Sequence, residues 1–148
     1  MTTEKLKELL DACFTAKRIT ETMMDLPRGM KPRHIHVIDA IYGLGQNGSP
    51  VRVSDVSKKL NITTPSVTKL INDLLDMGVV TKSEDRGDKR FTLLGLTDKG
   101  LQYEKKYVTD YHLLWTEHCD ITDAQAEIAI NVIMQLQRSM PKGGSSHE

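Results

Sequence analysis

The sequence is short of several things, and each shortage excludes a class of function. Its formal net charge is zero, with 20 Lys and Arg against 20 Asp and Glu. No global positive field draws the chain to a polyanion, so binding to nucleic acid has to come from a focused patch. Only two cysteines occur, Cys13 and Cys119, too few for a disulfide framework. No apolar run is long enough to span a bilayer. Met1-Thr2-Thr3-Glu4-Lys5 leads into polar amphipathic sequence and not into a signal peptide. A cytoplasmic location without membrane contact is therefore expected. There is no Gly-rich phosphate loop, nucleophile elbow or paired metal-ligand spacing. The chain is not expected to be an enzyme, and no cofactor is implied.

At 148 residues, 39 % of them hydrophobic, the chain suffices for one compact domain or a small protomer. The stretch from Val51 to Gly100 organises the rest. Val53, Val56 and Leu60 fall at helical spacing. A tight turn at Asn61-Ile62 follows, then a second start signal at Thr64-Pro65-Ser66. Thr64 is expected to cap this second helix, with Pro65 at its first position. Val67, Leu70, Ile71, Leu74 and Leu75 make one apolar face; Pro65, Ser66, Lys69, Asn72 and Asp76 fall away from it. Met77-Gly78 stops the helix. Val79 to Lys82 and Phe91 to Leu96 read as strands around a charged tip, with Phe91, Leu93 and Gly95 sharing a face. Helix, turn, helix and hairpin in this order make a winged helix-turn-helix.

This stretch resembles the DNA-binding domain of the MarR (multiple antibiotic resistance regulator) family. The resemblance rests on Ser66-Val67-Thr68-Lys69, Asp76-Met77-Gly78-Val79-Val80, Asp85-Arg86-Gly87-Asp88-Lys89-Arg90 and Leu96-Thr97-Asp98-Lys99-Gly100. Each piece is weak alone; the four together at this spacing are specific, and the flanking helices also fit the family layout.

A recognition helix presents its N-terminal residues to base edges in the major groove. Thr64, Pro65, Ser66, Thr68, Lys69 and Asn72 are therefore the candidate DNA-binding residues of that helix. Hydroxyls at a helix start suit phosphate, and Lys69 suits a guanine edge or a phosphate. Arg86, Lys89 and Arg90 give the wing a basic tip suited to the minor groove. The resemblance implies a wing contact at Arg90, with Asp85 and Asp88 orienting the basic side chains. Each piece has a bland reading too: a plain helix cap, a solvated hairpin tip. Between Arg52 and Arg90 there are eight Lys and Arg against six Asp and Glu; from Tyr111 onward there are two against five. The charge is thus weakly polarised toward the winged helix.

Around this centre the expected fold is mainly α with a small β-hairpin wing. Residues Glu4 to about Leu26 read as one helix, with a stripe from Leu6 to Met23 and Met24. Pro27 to Pro32 breaks it, and a second helix runs from about Arg33 to Leu44. Thr97 caps a long helix to about His118, and Ile121-Thr122-Asp123 caps a last one to about Met140. The terminal helices are too long and too apolar for a free winged helix. Residues 1–44 and 98–140 are read as a helical dimerisation region, 45–97 as the DNA-binding domain and 141–148 as a disordered tail. A two-fold homodimer would set its recognition helices roughly 34–36 Å apart on a pseudo-palindromic operator in double-stranded DNA.

The function so implied is a homodimeric, sequence-specific transcription regulator, a repressor released by a small aromatic or anionic effector. Expected effector linings are Met23, Met24, Arg28, His34, Ile38, Tyr42 and Tyr107, residues that are equally at home in a core. Two further sensors stand beside this. Cys13, followed by Phe14, resembles the sensing cysteine of the organic hydroperoxide regulators of the family, although the tyrosines that accompany it there are missing around Thr15-Ala16-Lys17. His112, Glu117, His118 and Cys119 cluster in sequence, with His34 and His36 elsewhere, but the spacing of His112 and His118 suits no common helical face and no metal is assigned. The reading from another class is a winged helix that contacts a protein and not DNA.

Overall fold

The computed structural model describes residues 1–23 and 25–142. Met24 and the tail beyond Lys142 lie outside the described residues, so the helix stripe and effector role expected of Met24, and most of the expected disordered tail, have no structural account. The chain divides into two compact units, Met1–His112 and Leu113–Glu148. Among the described residues, no helix is long and apolar enough to cross a membrane.

The first unit opens with α1 (Thr3–Thr20), capped by Thr2, whose side chain accepts from the Lys5 N–H. It stops six residues before the expected Leu26. The hydroxyls of Thr20 and Thr22 take the Lys17 and Arg18 carbonyls, and His36 takes the carbonyl of Thr20. Such side-chain bonds compete with continued helix. No residue of α1 is buried; Leu10, Phe14 and Ile19 face outward. Next, α2 (Pro32–Leu44) supplies the centre of the core through Ile35, Val37, Ile38, Ala40 and Ile41. These pack with Val56, Val67, Ile71, Leu74, Val79, Val80, Leu94, Tyr107 and Val108.

The helix-turn-helix is α3 (Val53–Leu60) and α4 (Thr64–Asp76). Asn61 takes the left-handed conformation at φ 54°, which Asn tolerates well, and ends α3. Ser57 then fixes the turn: its hydroxyl donates to the Ile62 carbonyl at 2.6 Å, and its own carbonyl accepts from the Ile62 N–H at 3.2 Å. Along α4, Val67, Ile71 and Leu74 are buried and Leu70 and Leu75 half-buried, the face read from the sequence. Each fully buried side chain contributes about 1.5–3 kcal/mol. Ile71→Ala would cost about 2–5 kcal/mol and loosen the helix from α2.

The cap of α4 sits one residue before the expected one. Thr63 is extended and accepts from the Ser66 N–H, while Thr64 is already helical. Pro65 falls in the second helical position, where its missing N–H again leaves no bond unmade.

The sheet has three strands and not two, β1 (Val51–Arg52), β2 (Val80–Glu84) and β3 (Thr92–Leu96), in the order β1-β3-β2, all antiparallel. β1 pairs only Val51 with Leu94 and Arg52 with Leu93, too few residues to leave an alternating pattern. Leu94 is the buried residue of β3. Leu93 and Gly95, with their register partners Ser83 and Thr81, lie on the opposite face.

After the sheet comes α5 (Asp98–Glu104), capped by Thr97, whose side chain accepts from the Gly100 N–H. A π-helical turn (Lys105–Thr109) interrupts what reads from sequence as one continuous helix. Two side-chain pairs match its winding, Thr109 to Glu104 at 2.8 Å and Lys105 to Asp110 at 2.9 Å, each five residues apart. Then follows α6 (Asp110–Glu117). In the second unit, α7 (Asp123–Ser139) is capped by Thr122 in a reciprocal box with Gln125. Ile121, Ile128, Ile130 and Ile133 are all exposed there.

Candidate nucleic-acid interface

The outer face of α4 and the wing tip carry the candidate DNA-binding residues. Thr64, Pro65, Ser66, Thr68, Lys69 and Asn72 are all exposed. The helix can present these side chains because its other face is locked into the core. Its start is rigid as well: Ser66 Oγ lies 2.8 Å from Thr63 Oγ1, and Thr68 donates to the Thr64 carbonyl at 3.0 Å. Its far end is held by neighbours across the sheet. Thr97 donates to the Gly78 carbonyl at 2.7 Å and Lys99 to the Met77 carbonyl at 2.9 Å. Gly78 takes φ +73°, the left-handed turn that Gly makes cheaply.

The wing tip is ordered by its acidic residues. Arg86, Lys89 and Arg90 are exposed. Arg90 is clasped by Asp88 through Nε at 3.0 Å and Nη2 at 2.6 Å, which holds the carboxyl of Asp88 below its ordinary range. The same contact raises the Arg90 guanidinium above its usual value. Asp85 accepts the Gly87 N–H at 2.9 Å and two bonds from Arg52; these lower its pKa, the Gly87 bond most.

Arg52 escapes sequence reasoning. It sits on β1, and its guanidinium stacks 3.9 Å over the Phe91 ring while it bonds Asp85. It thereby joins the end of β2 to the start of β3 and ties both to the base of α3. Its backbone N–H is itself fixed by Asp55 at 2.8 Å. The only sequence signal was an Arg beside a short helix, and its partners lie more than thirty residues away.

The expected effector linings are divided: Ile38, Tyr107 and Met23 share one core cluster, and Tyr42 and His34 line separate clefts. Tyr42 lines an open cleft of about 480 Å³ between the end of α2 and the outer face of the sheet. His34 lines another, of about 650 Å³, between the start of α2 and α4. Ile38 and Tyr107 lie in the core, Met23 is half-buried and Arg28 exposed. His34 is buried: its Nδ1 accepts the Lys31 N–H at 2.9 Å and its Nε2 meets Asp73 at 2.9 Å. With Nδ1 accepting, Nε2 carries the proton and donates to the carboxylate. This pair therefore braces α4 against the start of α2. Cys13 is half-buried and free. Among the described residues, no three His, Cys, Asp or Glu side chains could jointly hold a metal. His118 Nδ1 is engaged by the Leu114 carbonyl at 2.9 Å.

Comparison with known proteins places this geometry. No curated relative matches the chain in sequence. Among solved structures, FabT of Streptococcus pneumoniae in complex with DNA is 21 % identical, with a TM-score of 0.60 over 93 % of this chain and 96 % of that one. The MepR–DNA complex of S. aureus is 18 % identical, with a TM-score of 0.68 over 95 % and 99 %. MarR of Staphylococcus aureus in complex with salicylate and kanamycin is 20 % identical, with a TM-score of 0.66 over 92 % of each chain. At these identities the likeness establishes the fold. The MarR family model matches residues 28–90, which run from just before α2 to the wing tip. Over residues 28–90, which hold the helix-turn-helix and the wing as far as its tip, this chain is thus similar to the MarR family.

Proposed function

We propose that the chain is a homodimeric, sequence-specific DNA-binding regulator of transcription, a cytoplasmic repressor that a small-molecule effector releases. The observation that carries this reading is the division of α4. Its inner face is buried in the core, and its outer face offers hydroxyls and Lys69 at the helix start, with a basic wing tip on the same winged helix. FabT and MepR, which share the fold, were solved on DNA. The MarR structure with salicylate supports a small-molecule effector. Exposed Leu10, Phe14 and Ile19 in the first unit, and Ile121, Ile128 and Ile133 in the second, support residues 1–44 and 98–140 as the dimerisation region. Residues 45–97 carry the DNA contacts in this reading.

Fluorescence anisotropy on the duplex upstream of the chain's own gene, against a scrambled duplex at two salt concentrations, tests it. A dimer should bind the first duplex selectively. Lys69→Ala and Arg90→Ala should each weaken binding and lower the salt slope by about one. Equal, weak binding to both duplexes would turn the reading toward a protein-contacting winged helix.

A further inference from the structure

The cleft between α2 and the outer sheet face differs from the cleft at His34 in its charge. Charged residues make up 27 % of the chain, yet none lines this cleft. Its floor is the face of the sheet turned from the core, where Thr81 pairs with Gly95 and Ser83 with Leu93. Gly95 keeps the floor open, since a Cβ there would stand 2.8 Å from Thr81 Oγ1. Leu101 and Pro50 wall the cleft, and Tyr42 closes the α2 side.

We infer that this cleft is a binding site for a small, flat, uncharged ligand, an aryl amide or a comparable neutral hydrogen-bonding ring. Its volume of about 480 Å³ suits such a molecule. Leu93, Leu101 and Pro50 in the lining favour a ring, and Tyr42, Thr81 and Ser83 in the same lining carry hydroxyls able to hydrogen-bond it. An anion entering here would lose hydration and meet no lining cation, and an unpaired charge is costly to desolvate. The charged cleft at His34 contrasts with it, for Lys31, Arg33, Lys69, Asp73 and Asp76 all line that one. Because the floor belongs to the strands that carry the wing, an occupant would touch both the wing's base and the loop after α2. That such a ligand acts as the effector rests on the regulator reading above; that it binds does not.

The test uses the full-length ¹⁵N-labelled protein and three matched pairs: benzamide and benzoate, nicotinamide and nicotinate, salicylamide and salicylate. At least one amide should shift the backbone signals of Gly45, Gly48, Thr81 and Gly95 saturably, and its carboxylate should not. Ser83→Phe, at an exposed strand position, should fill the mouth and abolish those shifts in a folded protein. Leu101→Lys should weaken the amide and admit the carboxylate. The inference is overturned if no amide moves these signals, if carboxylates move them as well as amides do, or if folded Ser83→Phe protein responds unchanged. Adding the binding amide to the DNA complex separates the two claims: binding without release leaves the site standing and removes its regulatory role.

Discussion

Arg52 donates two hydrogen bonds to a single carboxylate oxygen of Asp85, at 3.2 and 2.9 Å, across 33 residues of chain. Arg52 is about a third exposed and Asp85 is more covered, so the pair sits at the root of the wing and not at its tip. Its effect on DNA is therefore expected to be positional. Arg52→Gln should leave α3 and α4 folded but let the strands of the wing move relative to them. Duplex affinity should drop several-fold while the slope of affinity against salt stays unchanged, because no phosphate contact is lost. A reduced slope would instead make Arg52 a direct phosphate ligand.

The start of the recognition helix offers a sharper separation, between two adjacent threonines. Thr63 caps α4 and Thr64 is exposed on its first turn. Thr63→Ala should cost about 1 kcal/mol of stability in urea unfolding. Thr64→Ala should leave stability within about 0.5 kcal/mol of the parent, as exposed substitutions do, and weaken duplex binding. Equal stability losses in both variants would contradict the position of the cap.

How far the sequence alone reaches is visible in these same elements. The buried face of α4 was legible because its five apolar residues repeat at helical spacing, and the core takes up that whole face. Thr97 and Thr122 were legible as caps, since each stands next to an acidic first turn. Thr63 was not, because Thr63 and Thr64 have the same chemistry and only backbone conformation separates them. β1 was illegible at two residues, and the π turn because Lys105 to Thr109 keeps an ordinary helical composition. The exposed Lys and Arg of the wing could be read from the chain; the Arg52–Asp85 clasp at its root could not, being purely tertiary.

Glycines at two helical positions should respond in opposite ways. A Cβ on Gly100 would stand 2.1 Å from the Val79 carbonyl oxygen, a backbone atom that also accepts the Thr97 N–H. Gly100→Ala must therefore push α5 away from the end of α4, and a loss of about 3 kcal/mol or more is expected, as for other severe overpacking. Gly43 is exposed on α2, with ordinary φ and nothing near its would-be Cβ. Gly43→Ala should raise stability by about 0.5–1 kcal/mol through helix propensity and a less flexible unfolded chain. Chemical denaturation of the two variants against the parent checks both signs.

Acid should loosen the wing later than ordinary carboxylates titrate. The carboxyls of Asp85 and Asp88 both lie below 3.8 in the folded protein, held there chiefly by the Gly87 N–H and by Arg90 respectively. A group depressed on folding stabilises the fold fully above its unfolded value, and loses that contribution as pH falls through the folded value. Between pH 7 and 5 the wing contacts should hence be constant. Below 3.8 the unfolded chain takes up protons first, so the contribution shrinks, and it vanishes once the folded carboxylates are protonated too. The Gly87 amide and the Arg90 Nε–H report this directly in an NMR titration, since each is bonded to one of the two carboxylates. Both signals should move with midpoints below 3.8, and Asp88→Asn should abolish the Arg90 transition while leaving that of Gly87 in place. A midpoint at or above 3.8 would mean that the clasp at the wing tip does not form in solution, and that no acidic residue holds Arg90 in position.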